Sequence, residues 1–329
     1  MRDVTIVGAG PVGLFTAFYA GLRELDVVLL DSLEMVGGQV VSLYPHKQIL
    51  DVAGFPAVTG LTLIEQLTTQ MQQLPVDVQL NTTVLDIVPQ DEGFLVVTNQ
   101  REFMTKQVIM ATGGGAFEPR TLPVEVPESK AIHYYVSDPT IFSGRNVLIA
   151  GGGDAALDTA LALENIASEV AITHRREHFR ALEHTITQLG NSSVVQETPF
   201  NISAVTELGN GQLQVSLEEF RGEQKKILVV DDLIINYGFQ SDHRELTEWS
   251  IHPEQDRQQF VVDSKMMTTV PGIYAVGDIA GYEGSADLIA SGFGEGPIAI
   301  NAIMKQLKPE QAVPLHSSNL RLENGHVSK

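Results

Sequence analysis

Four residues at fixed spacing raise the first chemical question. In Val4-Thr5-Ile6-Val7-Gly8-Ala9-Gly10-Pro11-Val12-Gly13 an apolar, β-branched run breaks into glycines and passes into the helix-like Leu14-Phe15-Thr16-Ala17-Phe18-Tyr19-Ala20. Gly8 permits a tight turn, Gly10 lets the backbone approach a pyrophosphate, and Gly13 lets the helix pack on the strand. The helix N-terminus offers unpaired N–H groups to the anion. The next apolar run, Val27-Val28-Leu29-Leu30, ends in Asp31, where a carboxylate accepts hydrogen bonds from ribose hydroxyls. The pattern predicts strand, turn, helix, strand and a bound dinucleotide; a glycine-rich turn without a ligand is the alternative.

A second copy lies further along. Asn146-Val147-Leu148-Ile149-Ala150 runs into Gly151-Gly152-Gly153-Asp154-Ala155-Ala156 and then a helical Leu157-Asp158-Thr159-Ala160-Leu161. Ala156 replaces the third glycine, where only a small residue is needed. The strand that follows, Glu169-Val170-Ala171-Ile172-Thr173, ends in His174-Arg175-Arg176, with Arg180 four residues beyond Arg176. An acid at this point pairs with a free ribose 2′-hydroxyl, whereas arginines accommodate a 2′-phosphate through charge-assisted bonds. Gly151, Gly153, Ala156, Arg175, Arg176 and Arg180 therefore read as a site for NADPH, with a solvated basic turn as the alternative.

The elements around these turns fit a chain of two α/β units. A length of 329 residues with 43% hydrophobic content is ample for two packed cores. No apolar run approaches the roughly 20 residues that span a bilayer, and Met1-Arg2-Asp3 enters the first strand without a signal-like segment. The expectation is a cytoplasmic protein. A formal net charge of −20 argues against nucleic acid and anionic membrane surfaces as partners. With no cysteine the chain holds no disulfide, thiolate metal site or redox-active thiol pair, so redox chemistry must reside on a bound cofactor. The nine histidines are scattered, and no metal site is expected.

Between the two turns, Gly37-Gly38-Gln39 suits close approach of backbone to a ligand, and Leu43-Tyr44-Pro45 opens an irregular stretch able to line a flat ring. Thr62 reads as the N-cap of a helix running to about Leu74, with Glu65 completing a capping box. Strands over 78–80, 83–88, 93–98 and 107–110 suggest a small antiparallel insert that returns to the main sheet. The last ends at Ala111-Thr112-Gly113. From Val194 to Ile235 short strands alternate with polar turns and close at Gly238. Gly272-Ile273-Tyr274-Ala275-Val276-Gly277-Asp278 ends another strand in glycine and acid. Gly292-Phe293-Gly294-Glu295-Gly296-Pro297 then leads into a helix from Ile298 to Leu307. Asp278 reads as a ligand for a ribityl chain or, alternatively, as a turn acid. The fold expected is α/β, with two Rossmann-like (three-layer ββα) dinucleotide-binding domains. The first comprises residues 1–115 and 239–329, and the second, residues 116–238, is inserted into it.

The motifs GAGPVG, GGQ, ATG, GGGDAALD with HRR, and GIYAVGD stand in the order found in thioredoxin-reductase-like flavoproteins, over nearly the whole chain. Leu43-Tyr44-Pro45, Asp51-Val52-Ala53-Gly54-Phe55-Pro56, the Gly292–Pro297 stretch and His316-Ser317-Ser318 resemble the ferredoxin (flavodoxin)–NADP reductases of that type. The missing Cys-x-x-Cys agrees. The resemblance implies that Gly8, Gly10, Gly13 and Asp31 hold the ADP half of FAD, that Gln39, Val84, Phe117 and Asp278 make further flavin contacts, and that Tyr44 stacks on the ring. It also implies a C-terminal extension that puts His316 near the ring and Ser318 within hydrogen-bonding reach, in a homodimer. The activity implied is hydride transfer from NADP(H) to FAD and single-electron transfer on to ferredoxin or flavodoxin, reversibly. The alternatives are an NADPH oxidase or diaphorase with oxygen, a quinone or another small acceptor, and a non-catalytic sensor of FAD and NADPH. Domain rotation about linkers near Gly115 and Gly238 is the motion expected.

Overall fold

The computed structural model describes residues 1–136, 138–242, 248–311, 321–323 and 326–328. Two compact units emerge: Met1–Ala116 with Ser241–Lys329, and Phe117–Gln240.

The first unit is built on a seven-stranded sheet. Strand β1 (Arg2–Val7) lies between β2 (Val27–Leu30) and strand Glu102–Met110, parallel to both, and β2 carries the short strand Asp77–Gln79 on its outer edge. Strand Ile273–Ala275 pairs in parallel with Val108–Met110. Every side chain of β2 is buried, as a sheet covered on both faces requires. Glu102–Met110 changes partners along its length. Its first residues pair antiparallel with Phe94–Thr98, which pairs in turn with Val84–Pro89, while its second half lies beside β1. Residues 78–80 therefore do not belong to an antiparallel insert; Asp77–Gln79 extends the parallel sheet.

Helices α1 (Pro11–Leu22), α2 (Gln39–Leu43) and α3 (Gly60–Met71) follow the first turn and its neighbours. The cap of α3 is Thr59, whose hydroxyl accepts from Thr62 N–H, so helix and cap begin three residues before the expected position.

The second unit is three-layered, and a period of two explains why. Five parallel strands run in the order Ile132–His133, Asp232–Ile235, Asn146–Ala150, Glu169–Thr173, Val195–Glu197. In the central strand Leu148 and Ala150 pack toward an antiparallel meander (Phe200–Glu207, Leu213–Glu219, Lys225–Val230). Val147 and Ile149 pack toward helix α4 (Asp154–Leu163). Successive side chains point to opposite faces, so one strand feeds two cores. Helix α5 (Glu183–Gly190) adds Leu189 to the helical side.

Helix α6 spans Ile289–Leu307, and the glycine-rich stretch expected to precede it lies inside it. Glycine costs helix stability in isolation, but here it permits close packing. A Cβ on Gly292 would collide with Val12, and one on Gly296 with Thr16. The two glycines, one turn apart on α6, meet two residues one turn apart on α1. No helix among the described residues is long and apolar enough to cross a membrane.

Candidate functional site

The first turn is shaped by what cannot fit there. Gly8 has φ +106°, and a side chain on it would strike the Ala111 carbonyl; one on Gly13 would strike the carbonyl of Gly8. Gly10 is the opposite case, with nothing among the described residues within 4 Å of its missing Cβ. Gly10 also caps α1 without a side-chain hydrogen bond, and Pro11 starts the helix, so among the described residues the first-turn N–H groups have no side-chain acceptor. Open space thus adjoins the donors of the helix terminus.

Asp31 is buried directly beneath this turn. Its Oδ2 accepts from Ala9 N–H at 2.6 Å and its Oδ1 from Leu33 N–H at 2.9 Å. Burial pushes its carboxyl above the ordinary value, and the bonds from Leu33 and Ala9 oppose that shift. The loop that follows returns to the turn. Gly37 N–H donates to the Ala9 carbonyl at 2.8 Å, and the missing Cβ of Gly38 would lie 3.3 Å from the Gly10 Cα. Gln39 begins α2 immediately beyond, and Tyr44 ends that helix. Val84 arrives from the sheet, since Thr82 N–H donates to the Asp31 carbonyl at 2.8 Å.

Asp278 belongs to the same neighbourhood. Burial pushes the Tyr44 phenol up, with the negative charges of Asp278 and Asp51 adding to it. Burial also raises the Asp278 carboxyl, followed by the charges of Asp287 and Glu295. The fold thus brings Gly8, Gly10, Gly13, Asp31, Gln39, Val84, Tyr44 and Asp278 to one end of the parallel sheet. The side chain of Phe117, and His316 and Ser318, lie outside the described residues. Thr112 stands in the ATG motif, which gave its side chain no role; its buried Oγ1 has no partner among the described residues. An orphaned hydroxyl beside the glycine turn suits a ligand dense in hydrogen-bonding groups. Open backbone at Gly10, helix-end donors and these polar atoms fit the diphosphate and ribose of FAD.

The second turn repeats the design with opposite charge. Side chains on Gly151 and Gly152 would collide with Asn236 and with the ring of His174, whereas among the described residues the missing Cβ of Gly153 has only the Arg180 carbonyl nearby, at 3.8 Å. Ala156 is fully buried where α4 meets its strand. Arg180 N–H donates to the Gly152 carbonyl at 2.7 Å, which brings the third arginine back to the turn despite its separation in sequence. Arg175, Arg176 and Arg180 are exposed. None forms an ion pair among the described residues, so their donors are open to an anion. His174 stacks on Phe179 with ring centroids 5.7 Å apart and leaves Nε2 buried and without a partner among the described residues. Burial and the charges of Arg175, Arg176 and Arg180 push its pKa down, so the neutral imidazole is favoured.

Known proteins share this pattern. Residues 2–306 match the family model of the pyridine nucleotide-disulphide oxidoreductases. A ferredoxin–NADP reductase of Leuconostoc mesenteroides subsp. mesenteroides is 45% identical over 332 residues, covering 99% of each chain. One from Lactiplantibacillus plantarum is 47% identical over 322 residues, covering 97% of each. Among solved structures, the thioredoxin reductase of T. acidophilum matches with a TM-score of 0.78 at 24% identity, over 93% of this chain and 98% of that one, a likeness of fold. The family is named for disulfide chemistry, yet this sequence contains no cysteine. With its two opposed glycine turns, the chain belongs to the FAD- and NADP(H)-dependent pyridine nucleotide-disulphide oxidoreductase family, in its ferredoxin–NADP reductase branch.

Proposed function

We propose that this chain moves electrons from NADPH, by way of FAD, to ferredoxin, with Met1–Ala116 and Ser241–Lys329 holding FAD and Phe117–Gln240 holding NADPH. The observation that carries this reading is the reversal of charge at equivalent strand ends: Asp31 after β2 and Arg175-Arg176 after Glu169–Thr173, in a chain without thiols.

Bound FAD supplies the redox chemistry itself, acceptance of a hydride and release of electrons one at a time. The chain's residues bind and orient. Gly8, Gly10 and Gly13 bring backbone against the diphosphate, and Asp31, with lone pairs left beyond its two backbone bonds, accepts from the ribose. Gln39, Val84 and Asp278 line the remainder, with Tyr44 against the ring. In the second unit Gly151, Gly153 and Ala156 cradle the other diphosphate. Arg175, Arg176 and Arg180 take the 2′-phosphate that distinguishes NADPH from NADH. Gly115 (φ +81°) and Gly238 (φ +80°) flank the two crossings between units and can absorb a rotation.

Ferredoxin is the acceptor proposed, with flavodoxin as an alternate carrier. A homodimer in the cytoplasm is the assembly and place that suit an NADPH-consuming chain of this family. Steady-state rates with ferredoxin, flavodoxin, oxygen and a quinone, each at several ionic strengths, test the acceptor. A protein carrier is expected to give the highest kcat/KM and to slow as salt rises; a rate highest with oxygen or quinone and insensitive to salt overturns the reading in favour of an oxidase or diaphorase.

A further inference from the structure

Glu295 is 4% exposed on the inner face of α6, and no lysine or arginine among the described residues pairs with it. Its Oε2 accepts from Gly277 N–H at 2.6 Å and its Oε1 from Tyr282 O–H at 2.7 Å. A carboxylate this deep is costly unless its oxygens are filled, and both donors come from one short stretch, Gly277–Tyr282. That stretch carries Asp278. Gly277 holds φ +73°, and its missing Cβ would lie 3.4 Å from Val12. Val12 is also the residue against which Gly292 packs. The Asp278 turn, α6 and the start of α1 therefore converge on one point, with Glu295 as the polar tie between the first two.

We propose that Glu295 is a positioning residue for FAD: by holding Gly277 and Tyr282 it fixes the turn that presents Asp278 beside the first glycine turn. The proposal rests on Asp278 being a FAD ligand, and it identifies what keeps that ligand in place. Hydrogen-bond acceptance, rather than charge, is the property required. Glu295→Gln keeps an acceptor for Gly277 N–H, and its amide can donate to the Tyr282 oxygen. Glu295→Ala loses both contacts.

The test is titration of each apoprotein with FAD, read by quenching of flavin fluorescence, with thermal unfolding of the same apoproteins alongside. Glu295→Ala is expected to raise the Kd for FAD about tenfold, and Glu295→Gln to stay within about threefold of wild type. Asp278→Ala is expected to weaken FAD by a similar factor, and adding Glu295→Ala on that background to cost little more, because both act through one contact. If Glu295→Ala yields no folded apoprotein, Tyr282→Phe reads the same coupling to Asp278. Equal losses from Glu295→Ala, or Tyr282→Phe, with and without Asp278 would overturn the proposal. Unchanged FAD affinity in Glu295→Ala alongside a loss in Asp278→Ala would overturn the tie alone; unchanged affinity in Asp278→Ala would overturn the assignment of Asp278 and the proposal with it.

Discussion

Ala9 N–H donates to Asp31 Oδ2 across 2.6 Å, so the acid that ends β2 holds the glycine turn that ends β1. Burial raises the Asp31 carboxyl above its ordinary 3.8. Just above that value the folded chain retains a proton that the unfolded chain has released. Stability conferred by this group therefore falls as pH rises through the window, and the cost persists above it. Asp31→Asn removes the titration. Thermal melts of the two apoproteins from pH 4 upward should show the difference in Tm between wild type and Asp31→Asn changing through the acid range against wild type; parallel curves would contradict the account.

At the second turn, exposure of Arg175 and Arg176 screens their charges and puts their contribution at the low end for charged hydrogen bonds. Replacing both with alanine should reduce the preference for NADPH over NADH by about 2 kcal/mol, or about 30-fold, in kcat/KM. Equal losses for the two nucleotides would remove the 2′-phosphate assignment.

The His174 ring fills the space where Gly152 would carry a side chain. Gly152→Ala should weaken NADP+ about tenfold by calorimetry while FAD stays bound, and His174→Ala on that background should recover part of the loss. An additive double variant would show that the ring does not set the shape of the turn.

Packing of α6 on α1 gives a comparison within one stretch. Gly292→Ala and Gly296→Ala force methyl groups into Val12 and Thr16 and should each cost about 1–3 kcal/mol by chemical denaturation. Gly294 is exposed on the same helix with nothing among the described residues within 4 Å of its missing Cβ. Gly294→Ala should be neutral or stabilising by up to about 1 kcal/mol.

These glycines also show what residue patterns convey. Both turns and their charged strand ends were legible because each needs particular residue types at short range: glycine where φ is positive or backbones touch, and an acid or arginines where the next strand stops. The start of α6 was not, because glycine argues against helix locally and only the partner helix explains it. The edge strand Asp77–Gln79 reads as part of an antiparallel insert because so short a strand carries no sign of its direction, which depends on β2, far away in sequence. Thr59 and Thr62 are equally good caps by type, and only the chain path separates them. Glu295 and Thr112 both stand in motifs quoted from the sequence, but the roles of their side chains follow from burial, which no spacing reveals.

Anaerobic stopped-flow mixing tests the central claim most directly. NADPH should bleach the flavin of the wild-type protein, far faster than NADH at equal concentration, and subsequent mixing with oxidised ferredoxin should restore the flavin absorbance as ferredoxin is reduced. A flavin that NADPH leaves oxidised, or one that ferredoxin fails to reoxidise, would contradict the account.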